Sequence, residues 1–435
     1  MDIKALYNLY LEHPTTITDT RQVERDAMFF ALKGENFNGN QFAAKALEEG
    51  CSYVVVDEAR VCPPGDDRYV LVEDVLTTYQ QLAREHRRRF SHPVVEITGT
   101  NGKTTTKELT AAVLAKRFHT LATEANYNNH IGVPRTLLRL SEKHTMAVIE
   151  TGANHSGEIK ALAEIVEPEF GIITNVGRAH LEGFGSFEGV CRTKGELYDF
   201  LRAHGGTAFV NANDGKLMEM AAGLPIVTYG KTGTGGCLVE GELVSCSPYL
   251  QLRWRVSGTA PWQEVATHFI GGYNLANVLA AACIGTFFGV DAGAVSDALR
   301  AYAPHNNRSE MRMTEKGNRL IVDAYNANPT SMKAELESFS AMEGDGKMVI
   351  LGEMRELGDA SDEEHEKVVS WLRRSDIGTV WLVGAAFKRI SPEGMRVFAN
   401  VEEVSEKIGK EGVPSRLILI KGSNGTKLWK LPELL

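Results

Sequence analysis

The chain has 435 residues, of which 43% are hydrophobic and 24% charged, and its formal net charge is −9. At roughly 100–200 residues per domain this length suggests two to four domains; the composition is that of an ordinary globular protein, and the acidic balance argues against a nucleic-acid partner, which would need a broad basic patch. The six cysteines, Cys51, Cys62, Cys191, Cys237, Cys246 and Cys283, form no C-x-x-C pair, which argues against a structural zinc site and for packing roles in a reducing compartment.

Met1-Asp2-Ile3-Lys4 lacks the apolar region of a secretory signal. The longest nearly apolar stretch, Val278 to Val290, is shorter than the ~18 residues a membrane span needs. A cytoplasmic protein without membrane insertion is expected, and a monomer.

Up to about residue 85 the chain holds short strand-like runs, Tyr53–Val56 and Tyr69–Val72, broken by Pro63-Pro64-Gly65-Asp66-Asp67. Arg87-Arg88-Arg89 is the densest basic cluster and reads as a solvated helix face. From Val94 strands and helices alternate. Val94–Thr98, Met146–Glu150, Phe170–Asn175 and Ala208–Asn211 are apolar runs, and 104–116, 157–165 and 187–201 carry helical patterns. Such alternation implies a mainly parallel sheet covered by helices. A third stretch begins near residue 305 and alternates again, with strands expected at Leu320–Asp323, Met348–Leu351, Val380–Val383 and Leu417–Ile420. Glu85–Pro93 and Ala303–Ser309 are the expected linkers. No fixed-period repeat and no low-complexity tract is present.

Gly99-Thr100-Asn101-Gly102-Lys103-Thr104-Thr105 follows the first central strand and opens a helix. A strand, a glycine turn and a helix N-terminus together cradle phosphates, because backbone N–H groups and the helix dipole point at the anion. Lys103 would reach the β/γ-phosphates and Thr104 would hold Mg²⁺. The loop is the short form G-x-x-G-K-T, with Ile97 where the longer pattern places glycine. A glycine turn with an accidental lysine is the alternative, and the flanking strand and helix disfavour it.

Glu150 ends one strand, and Asn175-Val176-Gly177-Arg178-Ala179-His180 leaves the next. Ligands of open α/β sheets bind at such carboxyl ends, so Glu150 and His180 are candidate metal residues, although either alone could be a cap or turn. Lys194, in Arg192-Thr193-Lys194-Gly195-Glu196, could be an ordinary solvated lysine. In Gly271-Gly272-Tyr273-Asn274-Leu275-Ala276-Asn277, Asn274 and Asn277 could face a nucleotide or cap the next helix. Asp323 in Asp323-Ala324-Tyr325-Asn326-Ala327-Asn328-Pro329-Thr330 could sit in a plain turn or bind a ribose hydroxyl or phosphate.

Together, Gly99–Thr105, Glu150, Thr174–His180, Lys194 and Tyr273–Asn277 resemble the ATP-binding domain of the Mur ligases, and the resemblance extends over nearly the whole chain. It implies an α/β protein of three domains: a smaller α/β UDP-sugar-binding domain (1–88), a central P-loop domain with a mainly parallel sheet (89–304), and a Rossmann-like C-terminal domain (305–435) contacting amino substrate and nucleotide. Asp19-Thr20-Arg21, Phe29–Gly34, Phe37-Asn38-Gly39-Asn40, Asn128–Pro134, Leu351–Gly358 and Lys421-Gly422-Ser423 point within the family to the enzyme that acts on UDP-MurNAc-tripeptide and D-Ala-D-Ala. The sequence departs from the family pattern at Asn40 and Tyr273, where His is common, and at Asn424-Gly425-Thr426, where Arg often appears. Thr330 after Pro329 breaks the motif of the diaminopimelate-adding sibling.

The resemblance implies that ATP phosphorylates the tripeptide carboxylate, and that the amine of D-Ala-D-Ala then displaces phosphate from the acyl phosphate, giving UDP-MurNAc-pentapeptide. Lys103, Glu150, His180 and Lys194 would be catalytic. Thr104, Glu150, His180 and a carbamylated Lys194 would serve a pair of Mg²⁺ ions, and Asn274, Arg308 and Asp323 would contact the nucleotide. Thr20, Arg21, Asn38, Asn128 and Asn129 would contact the UDP-sugar. Two other readings compete. A folylpolyglutamate-type ligase of the same superfamily should lack the UDP signature in 19–40. A scaffold that has lost catalysis should have a broken metal set, and here the set is complete.

Overall fold

The computed structural model describes residues 2–258, 260–304, 310–344, 346–390, 392–413 and 416–435. Its three main sheets follow one another along the chain. The first is four-stranded and wholly parallel, from Thr16–Ile17, Met28–Phe30, Tyr53–Val56 and Tyr69–Leu71. Side chains alternate across it, as the two-residue period of a strand requires. Phe29, Val54 and Val56 enter one apolar cluster, and Met28, Phe30 and Val55 enter another on the opposite face.

The second sheet has nine strands, with Val94–Thr98 inside it between Phe170–Ile173 and Met146–Glu150. All five residues of Val94–Thr98 are buried, as in a strand covered on both faces, including Glu96, whose carboxyl group accepts from Thr151 Oγ1 at 2.7 Å. Strands from Thr120–Ala122 to Ile226–Lys231 run parallel. Beyond them, Val239–Cys246, Tyr249–Val256 and Gln263–Ile270 form an antiparallel extension that the sequence reading did not assign. Its period was nonetheless present: Leu250, Leu252 and Trp254 point inward, while Gln251, Arg253 and Arg255 are more exposed. The apolar stretch near 278–290 is the helix Leu275–Phe287, buried in the central core beside the helix Lys103–Leu114. No helix among the described residues is long and apolar enough to cross a membrane.

The third sheet has six strands. Arg319–Asp323, Leu417–Lys421, Met348–Gly352, Thr379–Val383 and Arg396–Phe398 lie parallel, with Glu310–Met313 antiparallel at one edge.

One expectation is overturned. The cluster 87–89 is not simply a solvated face. Arg87 is only 4% exposed. Its guanidinium donates to Val166 O at 2.8 Å, Glu167 O at 2.8 Å and the Glu169 carboxylate at 2.6 Å. It therefore satisfies carbonyls left without partners at the C-terminal end of the helix Glu158–Val166, where a cation also complements the helix dipole. Arg88 and Arg89 remain exposed. The same contacts change the linker expected at Glu85–Pro93. Its first half belongs to the helix Val75–Arg88, which packs on the central core through a cluster shared with Val133, Ile149 and Leu162. The first sheet is thus anchored to the second.

Candidate active site

The carboxyl ends of the second and third sheets face a common cleft of about 810 Å³. Its walls include Thr100–Thr105, Asn128, Asn129, Glu150, His180, Asn274, Asn277, Asp323 and Lys421. Neither Thr20, Arg21 nor Asn38 lines it, and Arg308 lies outside the described residues.

Gly99 and Gly102 set the loop's path. Gly99 has φ +140°, and a Cβ there would stand 2.1 Å from Thr174 Oγ1; at Gly102 (φ +76°) it would stand 2.6 Å from Asn277 Oδ1. Only glycine fits both positions. The next strand end holds the loop in place. Asn101 N–H donates to Asn175 Oδ1 at 3.0 Å, while Thr174 Oγ1 and Asn175 Nδ2 donate to Asn101 O at 2.6 and 2.8 Å. Lys103 Nζ folds over the loop and donates to Gly99 O and Thr100 O at 2.8 and 3.0 Å. Gly99→Ala is expected to weaken nucleotide binding by more than 10-fold and to lower stability by about 1–3 kcal/mol. Titration with a fluorescent ATP analogue and a thermal melt check this, and unchanged binding would refute the tight fit at Thr174.

Glu150 is 1% exposed. Its Oε1 accepts from Asn128 Nδ2 at 2.8 Å and from Thr104 Oγ1 at 3.1 Å, while its Oε2 is buried with no hydrogen-bond partner. An orphaned buried oxygen of this kind needs an explanation, and beside a phosphate loop a hard cation supplies one. Among the described residues no group of three or more His, Cys, Asp or Glu side chains is placed to hold a metal. Mg²⁺ takes one or two protein oxygens and completes its shell with water and substrate phosphates, so Glu150 Oε2 beside Thr104 offers it a fitting ligand.

His180 has φ +49°, and its Nδ1 is paired with the carboxylate of Glu356. The His180 and Lys194 side chains flank the same ring: His180 lies 6.0 Å from the Phe184 centroid and Lys194 Nζ 5.4 Å from it. Lys194 is not a solvated lysine. It is 2% exposed, has no ion pair among the described residues, and donates only a long bond to Ala153 O at 3.5 Å. Burial pushes its ammonium down to about 7, and the positive charge of Lys103 adds to the effect.

Asn274 and Asn277 both border the cleft, and their amides also build it. Thr106 Oγ1 donates to Asn277 Oδ1, Asn277 Nδ2 to Asn274 Oδ1, and Asn274 Nδ2 to Ile270 O. Asn274 is the residue before the helix but makes no side-chain cap. Across the cleft Asn328 caps the helix Pro329–Ala341 in a capping box and donates to Asn101 Oδ1 at 2.8 Å. Asn129 Oδ1 accepts from Ile131 and Gly132 N–H. In the first domain Arg21 is paired with Asp19, and Asn38 Nδ2 donates to Glu58 at 2.8 Å.

Sequence reasoning gave Lys421 no role and passed over Glu335. Lys421 Nζ donates to both Asp323 and Glu335, and all three line the cleft. Burial pushes the Glu335 carboxyl up, the Lys421 ammonium pulls it back down, and the negative Asp323 adds to the rise. Burial alone would lower Lys421, but its two acidic neighbours outweigh it and hold the ammonium charged. Both residues had signals. Lys421 ends an apolar strand at its carboxyl edge, and Glu335 interrupts the buried face formed by Met332, Leu336 and Phe339.

Comparison with known proteins gives three domain matches: the Mur ligase family catalytic domain over residues 16–87, the Mur ligase middle domain over 97–285, and the Mur ligase glutamate ligase domain over 307–424. The UDP-N-acetylmuramoyl-tripeptide–D-alanyl-D-alanine ligase of Bacillus subtilis is 33% identical over 433 residues, covering 94% of this chain and 90% of the relative. A crystal structure of MurF from Acinetobacter baumannii superposes with a TM-score of 0.86 at 30% identity, covering 97% of this chain and 93% of that one. MurF ligase from Thermotoga maritima in complex with ADP superposes with a TM-score of 0.85 at 25% identity, covering 98% and 97%.

Proposed function

The chain belongs to the Mur ligase family, and from that premise we propose that it joins D-Ala-D-Ala to the C-terminal carboxylate of UDP-MurNAc-tripeptide at the expense of ATP. The products are UDP-MurNAc-pentapeptide, ADP and phosphate, and the step belongs to peptidoglycan precursor synthesis. One observation carries the reading: a glycine-fitted phosphate loop, the half-satisfied Glu150 and the buried Lys194 occur in a chain that matches dipeptide-adding relatives over nearly its full length.

The chemical difficulty is bringing a carboxylate to an already anionic γ-phosphate. Loop N–H groups and Lys103 lower that repulsion, as electrostatic preorganisation does in phosphoryl transfer generally. Mg²⁺, when bound, would neutralise further charge, with Thr104 and Glu150 at one ion and Glu150, His180 and Lys194 at a second. Lys194 suits that place once its amine has taken up CO₂. The neutral amine adds to carbon, releases a proton and becomes a carbamate anion in place of an ammonium that would repel the ion. Asp323, held by Lys421, would take the ribose hydroxyls, and Asn274 and Arg308 would contact the nucleotide.

The domain limits follow the same reading: 1–88 for the UDP-sugar, 89–304 for ATP, and 305–435 for the amine and part of the nucleotide. Thr20, Arg21, Asn38 and Asn129 serve the UDP-sugar end. Asn128 was expected there too, but its bond to Glu150 gives it the further task of orienting that carboxylate.

Phosphate release from ATP and Mg²⁺ should require both UDP-MurNAc-tripeptide and D-Ala-D-Ala and yield the pentapeptide. Release with the nucleotide-sugar but with a different amine would move the substrate and keep the chemistry. No release under any pairing would overturn the reading.

A further inference from the structure

The segment carrying His180 is short, irregular and clasped from the third sheet's side. Arg178 N–H donates to Thr330 Oγ1 at 3.1 Å, and its guanidinium bonds Glu364 at 3.1 Å. Glu182 N–H donates to Glu356 O at 3.3 Å. The Glu356 carboxylate lies in ion-pair contact with His180 Nδ1, a buried ring nitrogen that makes no aligned hydrogen bond. Both residues of this pair are non-glycines in the left-handed region, Glu356 at φ +62° and His180 at φ +49°. Such conformations cost free energy and persist where surrounding contacts enforce them. Here they aim two side chains at each other across a domain boundary.

We propose that Glu356 is a positioning residue that acts across this boundary, fixing the ring and tautomer of His180 so that the imidazole is set for a cation only when the C-terminal domain is docked. The proposal rests on the metal role given to His180 above. The chemistry is direct. A carboxylate set against Nδ1 favours the ring proton on that nitrogen, where a small turn of the ring would let it donate, and leaves the Nε2 lone pair for the ion. Without the carboxylate the ring can rotate or shift tautomer, and the ion loses a preset ligand. Because Glu356 comes from the third domain, the site for a cation in the second is complete only in the docked arrangement. That couples metal placement to domain position, with no separate sensor.

The test uses the full-length chain with a non-hydrolysable ATP analogue and Mn²⁺ as the probe ion, read by electron paramagnetic resonance. Glu356→Ala should weaken Mn²⁺ binding by about 10-fold or more, the range found for residues that orient metal ligands. Glu356→Gln, which can still accept from Nδ1–H, should recover part of the loss. In a His180→Ala background Glu356→Ala should change nothing further, since its effect runs through the imidazole. Full Mn²⁺ affinity in Glu356→Ala, alongside a loss in His180→Ala, would overturn the positioning role and spare the metal role of His180. Unchanged affinity in His180→Ala itself would overturn that metal role. Equal losses from Glu356→Ala in both backgrounds would show an effect that bypasses His180 and would also overturn the proposal. Glu356 is half exposed, so its replacement leaves the core intact and the readout is of binding.

Discussion

Glu150→Gln is expected to lower turnover by about 10²–10³-fold while leaving the melting temperature close to that of the parent chain. The two halves of this expectation come from the two oxygens of one carboxylate. Oε1 takes the Asn128 and Thr104 hydrogen bonds, and a glutamine carbonyl can accept both. Oε2 is the buried oxygen with no partner, and in glutamine an NH₂ stands there. The change removes an anion and presents donors to the ion that the site should hold. The Mg²⁺ concentration for half-maximal phosphate release should therefore rise together with the loss of turnover.

Glu150→Ala is a poorer experiment. It would strand the Thr104 and Asn128 donors, at about 1–3 kcal/mol for each buried group left unmet, and would mix instability with lost chemistry. Steady-state phosphate release across a Mg²⁺ titration, beside a melt of each variant, separates the two. Near-parental turnover in Glu150→Gln would remove Glu150 from the catalytic set.

What the sequence disclosed and what it hid differ by physical kind. Strand–loop–helix order around Gly99–Thr105 was legible, because local patterns carry it: an apolar run, glycines at fixed offsets and a helical period. Carboxyl-end residues such as Glu150 and His180 were legible once a parallel sheet was expected. Arg87 was misread because its partners, Val166 O, Glu167 O and Glu169, lie some eighty positions away along the chain. Charge in a basic run looks solvated until its acceptors are known. Glu356 stood in a recognised motif without a role, since its meaning depends on His180 in another domain. Glu335 and Lys421 were muted for a similar reason: Lys421 meets Asp323 only through the pairing of two strands about a hundred positions apart, and Glu335 meets both only once its helix packs beside them. The antiparallel strands Tyr249–Val256 and Gln263–Ile270 carry a two-residue period of their own, but they lie beyond the parallel strands whose carboxyl ends form the cleft.

Lys194→Met should abolish most ligase activity, about 10²-fold or more for a group acting on developing charge, and should make the chain more resistant to heat below neutral pH. The activity arm follows from carbamylation. Addition of CO₂ needs the neutral amine, and with burial holding Lys194 at about 7 that form is abundant at physiological pH, whereas an ordinary lysine would need pH near 10.4. At fixed dissolved CO₂ the carbamate fraction should rise through pH ~7. Isotopically labelled bicarbonate should give a carbamate resonance in the parent chain and none in Lys194→Met. Parental activity should fall in CO₂-free buffer and return when bicarbonate is added.

The stability arm has a sign fixed by linkage. Where the folded value lies below the unfolded one, the unfolded chain binds more protons between them, and stability rises with pH across that window. The cost of burying the Lys194 ammonium is therefore fully present below about pH 7 and is relieved as pH climbs toward the value of a solvated lysine. Methionine carries no such cost and keeps a similar shape. Without nucleotide and in CO₂-free buffer, the thermal advantage of Lys194→Met should be greatest near pH 6 and should shrink by pH 9. An advantage that grew with pH would mean that Lys194 sits charged and paired in the fold, and the carbamate would then lose its physical basis.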